Sequence, residues 1–198
     1  NLLVTYLGYF NPLLTETGYR FVFITGITGC LTWVNYLGIR NSTLLNNTLA
    51  IAKMLPLLLF IGAGLYYFEP SKVDWQQTPP ALSDFSTAVL VLIFAFTGFE
   101  AVLVTTGEMK NPKASIPFAL VVSMTCVAIF YGLIQLVAMA SLPDLANAST
   151  PITDAAAILM GSGGAILINI GAIVSIGGTL NSVMLIGSRV PYALSEEG

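Results

Sequence analysis

The chain has 198 residues, 56% of them hydrophobic and only 9% charged, with 7 basic and 10 acidic side chains and a formal net charge of -3. A soluble domain carries about 25% charged residues, whereas here the uncharged runs Phe21 to Ile39, Ala114 to Pro143 and Ala155 to Ser188 extend over 19, 30 and 34 residues. Runs of that length match or exceed the about 20 residues of a bilayer-crossing helix, which excludes a soluble enzyme, a nucleic-acid binder and a disordered chain and indicates an all-α integral membrane protein.

In chain order, residues 1 to 10 read as the outer end of a helix that begins earlier, and five spans follow, punctuated by Gly, Pro, Asn and charge clusters. The first is expected at about 19–38 and the second at about 43–68, interrupted by Lys53. The polar stretch from Glu69 to Pro80 is a surface loop. A third span covers about 85–106 and contains Glu100, a fourth about 115–142, and a fifth about 163–188. Together they form a single membrane domain over 1–198. The first residue is Asn1, with neither a methionine nor a basic leader, so the sequence reads as an internal piece of a longer chain.

The connecting segments alternate between two sides, and their charges differ. One side holds Arg40, Lys110, Lys113 and Arg189, with three acids; the other holds Arg20 and Lys72 with Glu16, Glu69, Asp74, Asp84, Asp144 and Asp154. The positive-inside rule makes the first side cytoplasmic, so residues 39–42, 107–114 and 189–198 are expected inside. Trp75, Tyr66 and Tyr67 suit an outer aromatic belt, although two tyrosines at a helix end also suit ordinary packing.

Lys53 and Glu100 are left within spans, at depths of roughly 14 Å and 12 Å from the cytoplasmic ends at 1.5 Å per residue. An ionisable group near the bilayer centre costs about 2.5–3.5 kcal/mol or more, and it is kept where it faces protein, water or a partner. Three readings are open: a Lys–Glu pair that pins two helices, a proton or substrate handle, and a Lys53 that snorkels to the inner surface. Beside Glu100, Phe94-Ala95-Phe96-Thr97-Gly98-Phe99 places a glycine and a hydroxyl at membrane depth. Gly98 allows a broken helix whose free backbone groups face a ligand, or a tight helix crossing. In the fifth span, Gly164 and Gly171 can share a face for close packing, and Ser175, Thr179 and Asn181 offer polar groups that nothing ranks. With no histidine and two cysteines, Cys30 and Cys126, inside apolar runs, neither a metal nor a cofactor is expected. The absent histidine and the lack of clustered acids also argue against a membrane-embedded enzyme.

The segment Phe96-Thr97-Gly98-Phe99-Glu100, followed by Gly107-Glu108-Met109-Lys110-Asn111-Pro112-Lys113-Ala114-Ser115-Ile116-Pro117, resembles the most characteristic stretch of the amino acid-polyamine-organocation (APC) superfamily of permeases. Gly98, Glu100, Glu108, Lys110, Asn111, Pro112, Ile116 and Pro117 fall at that pattern's places. Lys53-Met54-Leu55-Pro56 is similar to the lysine-bearing fifth helix, and residues 188 to 198 to the cytoplasmic end of the eighth. The likeness thus runs from the end of helix three through helix eight.

The resemblance implies a partial LeuT-like inverted-repeat transporter fold, with substrate held at broken first and sixth helices and the first helix supplied from outside these residues. Backbone groups of Phe94, Ala95, Phe96, Thr97 and Gly98 would then contact the substrate, with Phe94 in the position of an aromatic lid and Glu100 nearby. Lys53 matches the lysine that stands in for a sodium ion in proton-coupled members, with Ser175 as its eighth-helix neighbour. The implied function is secondary active amino acid transport across the plasma membrane by alternating access, coupled to protons. Exchange of one amino acid or amine for another without net proton coupling is the alternative, and a non-transporting nutrient sensor of the same fold is a third. Partners implied are an amino acid or related amine, protons, the lipid bilayer and the remaining helices of the same protein; nucleic acid is not among them.

Overall fold

Hydrocarbon offers no partner for backbone N–H and C=O groups, so each buried segment must satisfy its own. The computed structural model describes residues 2–36, 39–73, 81–99 and 112–197, apart from the side chains of 39–43, 72, 112 and 188–197, and these residues form helices and short 3-10 turns with no strand. The helices are α1 (Leu2–Gly8), α2 (Thr17–Tyr36), α3 (Ile39–Tyr66), α4 (Leu82–Ala95), α5 (Pro112–Ser141) and α6 (Pro151–Glu197). Among the described residues, three stretches are long and apolar enough to cross a membrane: Leu44–Tyr66, Lys113–Ser141 and Pro151–Gly187. With its helices and apolar spans, this is an all-α membrane protein with part of a transporter fold. Trp75, Glu100, Glu108, Lys110 and Asn111 lie outside the described residues.

Helix ends follow local chemistry more closely than the extent of apolar runs. α6 opens at Pro151, in a helical piece that precedes a kink at Gly161 and the span expected from about 163: proline is pre-set for a first helical turn, and Asp154 lies in that turn beside the positive end of the helix dipole. Thr150 reinforces the start: its carbonyl accepts from Asp154 N at 3.0 Å and its hydroxyl donates to the Asp154 carboxylate at 3.3 Å. Gly161 then bends the helix with φ 70° and ψ -165°, a left-handed conformation that glycine alone adopts cheaply. Downstream of the bend, Gly164 lets the chain pass Ala156 O, which a Cβ would approach to 2.8 Å. Gly164 therefore relieves the bend in its own helix, while Gly171 serves a different neighbour.

That neighbour is α3. A Cβ on Gly171 would lie 2.9 Å from the Pro56 ring, and one on Gly178 would lie 3.3 Å from Leu49 Cβ. Farther along, Ser182 Oγ hydrogen-bonds Asn46 Oδ1. Each advance along α6 is matched by an equal or nearly equal retreat along α3, which defines an antiparallel seam of fixed register. α2 joins it through Asn35 Nδ2, which donates to Asn181 Oδ1 at 3.1 Å, and Asn181 is fully buried. α5 packs on the other side, where Gly64 of α3 admits Val137, and Phe60, Val137, Ala155, Ala156 and Ile168 form the apolar core.

Small residues at such crossings replace the hydrophobic drive that lipid removes, since contact energy depends on how closely the backbones approach. Gly171→Ala should force α3 and α6 apart and lower stability by about 1–3 kcal/mol, as overpacking does. Gly163, whose added Cβ would meet nothing within 4 Å, supplies the control: in thermal unfolding of the detergent-solubilised protein, Gly163→Ala should match the wild type while Gly171→Ala melts lower. Equal melting of the two variants would remove the seam's claim to close contact.

Candidate functional site

Helix α4 stops because its last turn closes on itself. Phe96 N donates to Leu92 O and Ile93 O, each at 3.2 Å, and Thr97 N donates to Phe94 O at 3.2 Å. The Thr97 hydroxyl donates to the same Phe94 carbonyl at 2.7 Å. Gly98 follows at φ +112°, a positive angle that disfavours any side chain, and so the backbone leaves the helical path. Orphan carbonyls at a helix C-terminus are thereby partly occupied by the chain's own turn. One of them, Ala95 O, accepts from another helix: Tyr131 Oη of α5 donates to it at 3.3 Å, and the Tyr131 and Phe96 rings meet edge to face with centroids 5.4 Å apart.

This break borders a cavity of about 980 Å³. Lys53 and Pro56 of α3, Phe96 after α4, Tyr131 and Gln135 of α5 and Ser175 of α6 all line it. The α3–α6 seam explains how two of these residues come together. Gly171 sits on Pro56 and Gly178 on Leu49, so Ser175, between the two glycines, is level with Ala52 and Lys53, between their partners. Pro56 adds a local opening: lacking an N–H, it withdraws the intrahelical donor of the Ala52 carbonyl one residue from Lys53.

Of the residues expected at a site, Lys53, Phe96 and Ser175 share this cavity. Lys53 is half-buried there. Phe94 is 78% exposed and lies outside the lining, Ala95 and Thr97 contribute the hydrogen bonds of the turn, and Gly98 supplies the change of direction. Glu100, being outside the described residues, has no place in this geometry.

The chain matches the family model described as amino acid permease over residues 1–198. It belongs to the amino acid permease family. An uncharacterised protein of Methanocaldococcus jannaschii is 32% identical over 96% of this chain and 45% of its own length. The branched-chain amino acid permease of Bacillus subtilis is 32% identical over 87% of this chain and 37% of its own length. The arginine/agmatine antiporter of Chlamydia felis is 31% identical over 97% of this chain and 43% of its own length. The chain thus spans less than half the length of these relatives.

Tyr131 and Gln135 of this permease chain escape a reading of the sequence, because one aromatic and one amide within the uncharged α5 run look like packing residues. The faint signal is their spacing of four, which puts both on one helix face, and that face is the one turned to the break. In a background of Cys30→Ala and Cys126→Ala, removing the two exposed thiols, Ser175→Cys should react with a membrane-impermeant thiol reagent when the cavity is open to water. Ala165→Cys, at a position only 3% exposed, should stay unlabelled. Resistance of Ser175→Cys from both sides of the membrane would mean that the cavity holds no water path.

Proposed function

We propose that the protein, at its natural length, is a secondary active transporter of amino acids across the plasma membrane, working by alternating access with proton coupling through Lys53. The observation that carries this reading is the meeting of an ammonium, a hydroxyl and a broken helix on one cavity: Lys53, Ser175 and Phe96. A charge at this depth is costly, and it is retained where it serves a pathway. Protonated, Lys53 supplies the positive charge that draws Ser175 and neighbouring carbonyls together across the seam. Deprotonated, it releases them, so that a proton entering from one side and leaving to the other couples to opening and closing of the site.

The break supplies the substrate contacts. Backbone groups from Phe94 to Gly98 present oxygen acceptors to the ammonium of an amino acid, at the kind of discontinuous helix on which transporters build their sites. Phe94 covers the substrate when the site closes, and Glu100 adds a carboxylate next to the break. Segments 39–42, 107–114 and 189–198 face the cytoplasm, where Lys110 and Lys113 meet anionic lipid headgroups. Exchange is the second reading, and the named antiporter among the relatives favours it; in that case Lys53 acts as a fixed positive charge, and the counter-substrate takes the proton's part.

Purified protein in liposomes separates the two. Uptake driven by an inward proton gradient with no internal substrate supports coupling, whereas uptake that needs internal amino acid supports exchange. Lys53→Ala should abolish or severely reduce gradient-driven uptake, and wild-type proton-dependent flux in that variant would overturn the role given to Lys53. Glu100→Gln should alter the pH profile or the turnover; an unchanged pH profile would leave Glu100 a structural carboxylate.

A further inference from the structure

The hydrogen bond from α5 to the end of α4 assigns a task to a residue that neither the family pattern nor the charge pattern singles out. We propose that Tyr131 is a positioning residue for the substrate, with its hydroxyl aiming the Ala95 carbonyl and its ring seating Phe96. This rests on the reading of the α4 break as the substrate site.

Several features at the break lead to Tyr131. The carbonyls of Leu92 and Ile93 share Phe96 N, and the Phe94 carbonyl takes both donors of Thr97, so these are held by the chain's own turn. Ala95 O is held differently, by a donor on α5 that is 36 residues away in sequence. A carbonyl oxygen has two lone pairs, and a hydroxyl on one of them fixes its direction while leaving capacity for a second donor such as an ammonium. Tyr131 lines the cavity and is 43% exposed. The edge-on contact with Phe96 is of the kind aromatic pairs prefer, and it restrains both rings at once. A tyrosine is suited to this task, since phenylalanine would seat Phe96 equally well and leave the carbonyl without its external donor.

The mode of action predicts a split in the kinetics. Losing one neutral hydrogen bond that orders a binding group should weaken apparent affinity by about fivefold, and the motion that limits turnover should be untouched. In liposomes containing the natural-length protein, Tyr131→Phe should therefore raise the KM for the transported amino acid by about fivefold while keeping the maximal rate within about twofold. Phe96→Leu, which leaves the hydroxyl but removes the ring edge that aims it, should move KM in the same direction; it also serves where Tyr131→Phe fails to accumulate as a monodisperse protein. Unchanged KM in both variants, with the wild type active, overturns the role of Tyr131 and leaves the transport reading standing. A fall in maximal rate with KM unchanged also overturns it, because a residue needed only for the fold behaves in that way. A wild type that moves no amino acid from a panel of neutral, cationic and anionic ones overturns the transport reading, and this assignment with it.

Discussion

The seam between α3 and α6 is the constraint on which the rest of the chain depends. Its register is fixed at three levels, by Gly171 on Pro56, Gly178 on Leu49 and Ser182 on Asn46. Sliding one helix past the other by a single residue would bring Ile170 or Ala172 to the Pro56 ring in place of Gly171. In lipid, where burial of apolar surface gives no net drive to associate, such shape fit and a few interhelical hydrogen bonds hold helices together. The Asn35–Asn181 bond brings α2 to the same seam, and Val137 fitted against Gly64 brings α5 to its other side. The location of Lys53 opposite Ser175 is a consequence of that register and needs no direct bond between the two.

How much of this was legible beforehand depended on whether a residue declares itself alone. Lys53 does, since a charge inside an apolar run stands out, and it lies half-buried on the cavity wall. Gly98 does so partly: a glycine next to a hydroxyl and a charge admits a break or a crossing, and the positive φ decides for a break. Ser175 was one of several small polar residues on α6 with nothing to rank them, and its rank comes only from the seam. Asn35 and Asn181 are 146 residues apart, and neither carries a local mark of its partner. The helical piece ahead of the Gly161 kink is marked differently from the span after it, by Thr150, Pro151 and Asp154 rather than by the length of an apolar run.

The two parts of the cavity wall are held by forces of very different size. α4 buries none of its residues in this chain, and its described side-chain hydrogen bond to α5 runs through one tyrosine hydroxyl. A bond of that kind contributes about 1 kcal/mol. Parting α3 from α6 would instead open the packed contacts of Gly171 on Pro56 and Gly178 on Leu49 and break the Ser182–Asn46 hydrogen bond, at a cost of several kcal/mol. Within the described residues the end of α4 is therefore held to α5 far more lightly than α3 is held to α6. Lys53 and Ser175 stand on the tightly packed part of the wall, and Phe96 on the part that one hydrogen bond and one ring edge tie to α5.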